Sequence, residues 1–259
     1  GAATLYYYCT NHSNMGGQAN TNSLFGSSNF SGSTQSTVTA NTTAGFSIIK
    51  YAGTGSSGTI GHGLSATPKV LIFKEIDGAE SWRVWHRDAP NYSTKALALN
   101  LADAEFSQTN WIGTVDNSII TLGTDSSINT SGNNYICYAF AEKTGYSKFG
   151  KYTGNGNNDG AFIYTGFKPS FIIIKSTSHS SSWDISDNKR LGYNPKNYRL
   201  TPHNTAAAYT GVEIYKDYLS NGFKIRATDT DTNGDGRTYI YMAFGQSIVG
   251  SNNIPATAR

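Results

Sequence analysis

The sequence predicts an all-β protein: two tandem β-sandwich units, jelly-roll or lectin-like, behind an extended N-terminal segment. Three observations carry this. The first is composition: 259 residues include 28 Gly, 17 Tyr and 12 Phe with abundant Ser, Thr and Asn, against only two Met and six Pro. That mixture favours short strands and tight turns over helices. The second is periodicity, since apolar residues alternate or form short runs, and only 97–108, LALNLADAEFSQ, could hold a helical turn or two. The third is an internal repeat. KYAGTGSSGTIGHGLSATPKVLIFKEIDGAESWRVW (50–85) lies over KYTGNGNNDGAFIYTGFKPSFIIIKSTSHSSSWDIS (151–186) at an offset of 101 residues, and NYICYAFAE (134–142) lies over TYIYMAFGQ (238–246) at 104. The organisation that follows is an extended segment over 1–45, a first repeat over 46–145, and a second repeat with a C-terminal tail over 146–259. Two small sandwiches or two halves of one larger jelly roll both satisfy it.

Each repeat reads as about seven strands. In the first they are FSIIKYAG, a short one around GTIGHGL, then KVLIFKE, SWRVWHR, KALALNL, SIITLG and NYICYAFAE. The third strand is continuously apolar in both copies, VLIF and FIII, which suits burial on both faces. Pro68 and Pro169 precede it, where a missing N–H does no harm. The last strand alternates, with Ile136, Tyr138 and Phe140 on one face and Ile240, Met242 and Phe244 on the matching face, so these are expected to point inward. Residues 1–45 contain NTNSLFGSSNFSGSTQSTVTANTT, expected as an extended linker or as a strand added to a sheet edge, and a neighbouring copy is expected to hold them.

With 14% charged residues and a net charge of +3, the chain lacks the basic density of a nucleic-acid or membrane-surface binder. No apolar run reaches the roughly 20 residues of a membrane helix, and the first residues show no basic-then-apolar signal pattern. Cys9 and Cys137 permit at most one disulfide.

Several motifs bear on chemistry. YYYCTNHSNMGG (6–17) places Cys9, His12 and Met15 at spacings that suit copper. This stretch resembles the C-terminal ligand loop of small blue-copper proteins of the pseudoazurin and amicyanin type. That fold needs a second histidine upstream, which this sequence does not present. The loop therefore reads as a remnant of a preceding cupredoxin-like domain, and no bound copper is expected. DTDTNGDG (229–236) offers Asp229, Asp231, Asn233 and Asp235 as oxygen ligands for calcium, but the bidentate acid of an EF-hand loop is replaced by Ile240. The equivalent DSSINTSG (125–132) favours a plain hairpin turn. Strand parity assigns Trp82 and Trp183 to the core. Trp85, of the opposite parity and replaced by Ser186 in the second copy, and Trp111, which also lacks a counterpart there, are expected as surface aromatics that could stack on sugars or pack on another subunit. No serine-nucleophile elbow, zinc-protease helix or phosphate loop occurs, and the acids Glu75 and Asp77 look exposed. No enzyme activity and no cofactor is expected.

The segment GYSKFGKYTGNGNNDGAFIYTGFKPSFIIIK, with LSNGFKIRATDTDTNGDGRTYIYMAF further on, resembles the C-terminal β-rich module of tail or fibre-like virion proteins of marine tailed phages. The resemblance covers about 46–259. It implies a structural or adhesive module at a virion surface or on an extracellular filament, working as a homo-oligomer of identical copies, with cell-surface polysaccharide as a further partner. The alternative is a secreted metalloprotein that uses the Cys9, His12 and Met15 loop.

Overall fold

The alternating and apolar runs become strands in both repeats. The computed structural model describes residues 26–191 and 193–245, with the backbone of 4–8 and 16–20. Strands are numbered along the chain. β1 (Thr4–Tyr8) pairs with β2 (Gly16–Asn20). β3 (Ser27–Asn29) and β4 (Ser36–Asn41) lead into the first repeat, which contains β5 (Phe46–Ala52), β6 (Gly58–Gly61), β7 (Val70–Glu75), β8 (Arg83–His86), β9 (Lys95–Ala98), β10 (Phe106–Ser107), β11 (Ile112–Val115), β12 (Ile119–Leu122) and β13 (Asn134–Phe140). The second contains β14 (Ser147–Thr153), β15 (Phe162–Tyr164), β16 (Pro169–Ser176), β17 (Asp184–Asp187), β18 (Tyr198–Arg199), β19 (Tyr209–Thr210), β20 (Lys216–Leu219), β21 (Gly222–Ile225) and β22 (Thr238–Gly245). One helical turn per repeat, α1 (Ser126–Asn129) and α2 (Thr230–Asn233), precedes the last strand.

Each repeat is its own antiparallel sandwich. In the first, the eight-stranded sheet β10-β9-β8-β7-β13-β5-β4-β3 packs on the three-stranded sheet β11-β12-β6. In the second, the sheet β14-β22-β16-β17 packs on β15-β21-β20. The orders β5-β13-β7-β8 and β14-β22-β16-β17 coincide, so the two repeats share one topology. Between the first pair of sheets lie Ile49, Tyr51, Phe73, Trp85, Trp111 and Tyr135. Ile172, Ile174, Tyr218, Phe223, Tyr239 and Tyr241 fill the second.

A third cluster joins the sandwiches. Val70, Val84 and Leu97 of the larger sheet meet Phe149, Trp183, Ile240 and Met242 of the four-stranded sheet. Burial of each such side chain contributes about 1.5–3 kcal/mol. The continuously apolar β7 and β16 are thereby covered on both faces, as expected.

Four expectations need correction. The faces carrying Ile136, Tyr138 and Phe140, and Ile240, Met242 and Phe244, do not line the sandwich interiors. Tyr135, Cys137 and Ala139, with Tyr239, Tyr241 and Ala243, do so, while Phe140, Ile240, Met242 and Phe244 join the cluster between the repeats and Tyr138 stacks on Phe46 and Trp82 of its own repeat. A strand apolar on both faces has no parity signal to say which one is inside. Of the two tryptophans expected in the core, Trp183 is buried as expected, at the contact between repeats with its Nε1 donating to the carbonyls of Ala98 at 2.8 Å and Leu101 at 3.1 Å, but Trp82 is only half-buried and stacks on Tyr138. Residues 97–108 form no helix. They run as β9, a turn and β10, strapped to the second repeat by hydrogen bonds from Glu105 N to Thr177 O and from Ser181 N to Ala102 O. Lastly, the described part of the N-terminal segment is held by its own repeat, because β4 pairs with β5 along its length, from Ser36 opposite Tyr51 to Asn41 opposite Phe46.

The sequence offset also slips locally. Ile60 and Ile163 occupy the same place, opposite the buried Ile120 and Phe223. Gly63 and Gly166 are both left-handed, at φ of 70° and 84°. Thr59 therefore corresponds to Phe162 and Gly61 to Tyr164, an offset longer than that of the flanking strands. A longer loop before β15 and a shorter one after it account for the shift.

Candidate functional site

Both repeats build the same clamp beside their helical turn. Asp125 and Asp229 cap the turns by accepting from Ser127 N and Asp231 N, as short polar side chains do at helix starts. Tyr51 and Tyr135 stack with ring centroids 5.3 Å apart, and Tyr152 and Tyr239 at 5.1 Å. Their hydroxyls donate into the turn, Tyr51 to Ile128 O and Tyr152 to Thr232 O, each at 2.7 Å. A buried asparagine closes the structure. Asn233 Nδ2 donates to the carbonyls of Asn157 and Ala227, both at 2.8 Å, and its Oδ1 accepts from Asn155 N at 3.1 Å. Asn129 does the same for Ser56 O, Gly123 O and Thr54 N. Gly154 must lack a side chain, because a Cβ there would lie 2.4 Å from Gly234 O.

This geometry places the calcium-type residues. Asp229 and Asp231 both accept from Arg199 Nη1, at 2.7 and 2.8 Å, and Asp231 Oδ1 also accepts from Ser182 N. Asn233 spends its amide on the backbone of Asn155, Asn157 and Ala227 and on the Asn155 side chain, and Asp235 is exposed. A guanidinium thus stands where the loop would receive a cation. Burial pushes the Asp229 carboxyl above its ordinary range; Asp231 and Asp184 add to this and Arg199 opposes it. Among the described residues no group of three or more His, Cys, Asp or Glu side chains converges as a metal site.

A second buried charge set lies between the sheets of the second sandwich. Asp184 on β17 and Lys216 on β20 are 0% and 1% exposed in their side chains, with Nζ 2.8 Å from Oδ2. Nζ also donates to Ile214 O at 3.2 Å, while Asp184 Oδ1 is buried with no donor among the described residues. Nearby on β16, burial lowers the Lys175 amine to about 8, and its Nζ reaches Ser181 O at 2.9 Å. In the first repeat the positions of Asp184 and Lys216 hold Arg83 and Ile112.

The repeats also differ at one sheet edge. In the first, residues 29–36 cover the β6 edge: Thr34 N donates to Thr59 O, Ser36 Oγ to Gly61 O, and Thr34 bridges Ile60. Gly61 is required there, since a Cβ would lie 1.9 Å from Asn29 Oδ1. In the second, β15 is the terminal strand of its sheet, and the corresponding residues Phe162 and Tyr164 are 45% and 64% exposed.

The residues expected as surface aromatics are not on the surface. Trp85 and Trp111 are each 1% exposed and lie in the first core. The parity of Trp85 presumes that one face of its strand meets solvent, but β8 is buried on both faces, and the lack of a counterpart for Trp111 in the second repeat does not place it outside. Both Nε1 atoms are buried without an acceptor. Glu75 is likewise buried, accepting from Asn133 Nδ2, whereas Asp77 is exposed and accepts from Asn134. Cys137 is buried in the first core, and burial pushes its thiol up. Cys9, His12 and Met15 lie outside the described residues.

Sequence reasoning missed Phe162, Tyr164, Asp184 and Lys216. The repeat carries a signal for two of them, since Gly61 stands where the second copy has Tyr164 and Ile112 where it has Lys216; Thr59 opposite Phe162 and Arg83 opposite Asp184 give none. A family described as Domain of unknown function (DUF7483) matches residues 18–247. No curated protein and no solved structure matches the chain.

Proposed function

Since the chain belongs to the DUF7483 family, we propose that it is a non-enzymatic structural module of a virion surface or extracellular filament that assembles from identical copies. The bare edge of β15 carries this reading. The chain's own residues 29–36 cover the equivalent edge of the first repeat, whereas β15 presents Phe162 and Tyr164 on an edge that no strand pairs among the described residues. An open edge with exposed aromatic rings is a template for contact with another chain, and aromatic residues are enriched where subunits meet. Placement on a virion rests on the likeness of the Tyr152–Gly156 start, the Gly166–Pro169 strand entry and the Tyr239–Phe244 strand to phage structural modules.

Sedimentation or light scattering over a range of concentrations tests the assembly. The wild-type chain is expected to self-associate, and Phe162→Ser with Tyr164→Ser to shift it toward monomer with an unchanged circular dichroism spectrum. A wild-type chain that stays monomeric at high concentration, or a double variant that associates equally well, would overturn the reading.

A further inference from the structure

The Asp184–Lys216 pair has no structural duty that the fold itself imposes. The sister repeat closes the same two sheets without such a pair: Ile112 stands where Lys216 does, and Arg83, in the place of Asp184, pairs with Glu80 three residues away rather than across the sheets. Taking two ions out of water is costly, and a well-packed apolar pair of similar volume is often as stable. The cost is acute here because Asp184 Oδ1 has no donor among the described residues. What the geometry does provide is an amine nitrogen held 2.8 Å from a carboxyl oxygen, shielded from water, with the two groups on opposite sheets.

We propose that Lys216 and Asp184 condense into an intramolecular isopeptide amide that joins the two sheets of the second sandwich. The proton on Nζ passes along the existing hydrogen bond to Oδ2, leaving a neutral amine beside a carboxylic acid. The nitrogen lone pair attacks Cγ of Asp184, forming the C–N bond. The hydroxyl oxygen then leaves with a proton from the nitrogen as one water. Nothing is oxidised or reduced, and no co-reactant is required. The product replaces a buried ion pair with a neutral amide, and exclusion of water protects it from the reverse hydrolysis. Proximity supplies the driving geometry, because reacting groups held in contact behave as if at very high effective concentration. Both residues sit on strands whose neighbours fix them: Asp184 lies opposite Ile174, and Lys216 opposite Ile225. The bond would close a loop of 32 residues in sequence separation, spanning β17 to β20. A covalent tie between sheets suits a module that bears load, but the inference stands on the pair alone.

The test is the mass of the purified full-length chain after denaturation. The wild type is expected to be lighter than its sequence by one water, and proteolysis is expected to release a branched peptide linking Lys216 to Asp184. Asp184→Asn should instead lose one ammonia, since an amide nitrogen becomes the leaving group. Lys216→Arg should carry its full sequence mass. A folded wild-type chain that keeps its full mass after prolonged incubation overturns the proposal, whether or not the variants fold. A water loss found only in linear peptides, as a cyclised aspartate elsewhere would produce, overturns it too. Both readouts are covalent, so self-association can fail without touching this result.

Discussion

Replacing Asn233 by alanine should cost the second sandwich several kilocalories per mole while leaving its sheets intact. Asn233 is fully buried, and its side chain makes two 2.8 Å hydrogen bonds to the carbonyls of Asn157 and Ala227, a 3.1 Å bond to Asn155 Oδ1, and accepts one from Asn155 N at 3.1 Å. A net hydrogen bond contributes about 0.5–1.5 kcal/mol, and a buried partner left unpaired costs about 1–3 kcal/mol. Asn155 and Asn157 lie on the exposed side of the loop and can turn to water. Ala227 O is the group with no such recourse, at 1% residue exposure. The expected loss is therefore about 3 kcal/mol, most of it from Ala227 O and from the cavity beneath α2. Urea unfolding, with the slope of the transition compared between variant and wild type, measures it. Asn129→Ala in the first repeat should cost a similar amount, since Asn129 bonds Ser56 O, Gly123 O and Thr54 N in the same way. A loss under about 1 kcal/mol at unchanged slope would show that the asparagine clamp does not hold the turn.

His86 is buried with its Nε2 donating to Tyr241 O across the contact between repeats, and burial lowers its imidazole to about 4. Within the same cluster Asp88 and Glu142 push the imidazole up and Lys69 pushes it down. The unfolded chain takes up the proton near the ordinary value of about 6.5. Stability should therefore fall as pH drops from about 6.5 toward 4, by up to about 3 kcal/mol, and His86→Asn should flatten that slope in pH-dependent unfolding. An unchanged slope in the variant would refute this assignment. Arg199→Met should leave Asp229 and Asp231 without their cation and cost about 3 kcal/mol at neutral pH, with the deficit shrinking in acid as the carboxylates take up protons. Calorimetry at two pH values reads both effects, and a deficit independent of pH counts against the Arg199 pairing. Because Arg199 already occupies those carboxylates, millimolar calcium should leave the wild-type Tm unchanged, and a clear rise would restore the calcium reading of 229–236.

The sequence by itself determined that the protein is all-β, that its strands recur in two units, and where most of them lie. Strand periodicity and turn residues are local properties, and the repeat supplies each strand with a second, independent copy. Tertiary structure alone decided which face of each strand is inside. The two sandwiches pack back to back, so β7, β8, β16 and β22 are covered on both sides. Parity then carries no sign, which is why Trp85 reads as a surface aromatic from sequence and lies in the core. The local shift that aligns Gly61 with Tyr164 depends on loop lengths either side of β15, and only the register of β15 against β21 reveals it. The meeting of Asp184 with Lys216 across the sheets has the same cause. Residues so far apart in sequence become neighbours only when two sheets close on one another, and nothing local in either stretch encodes that contact.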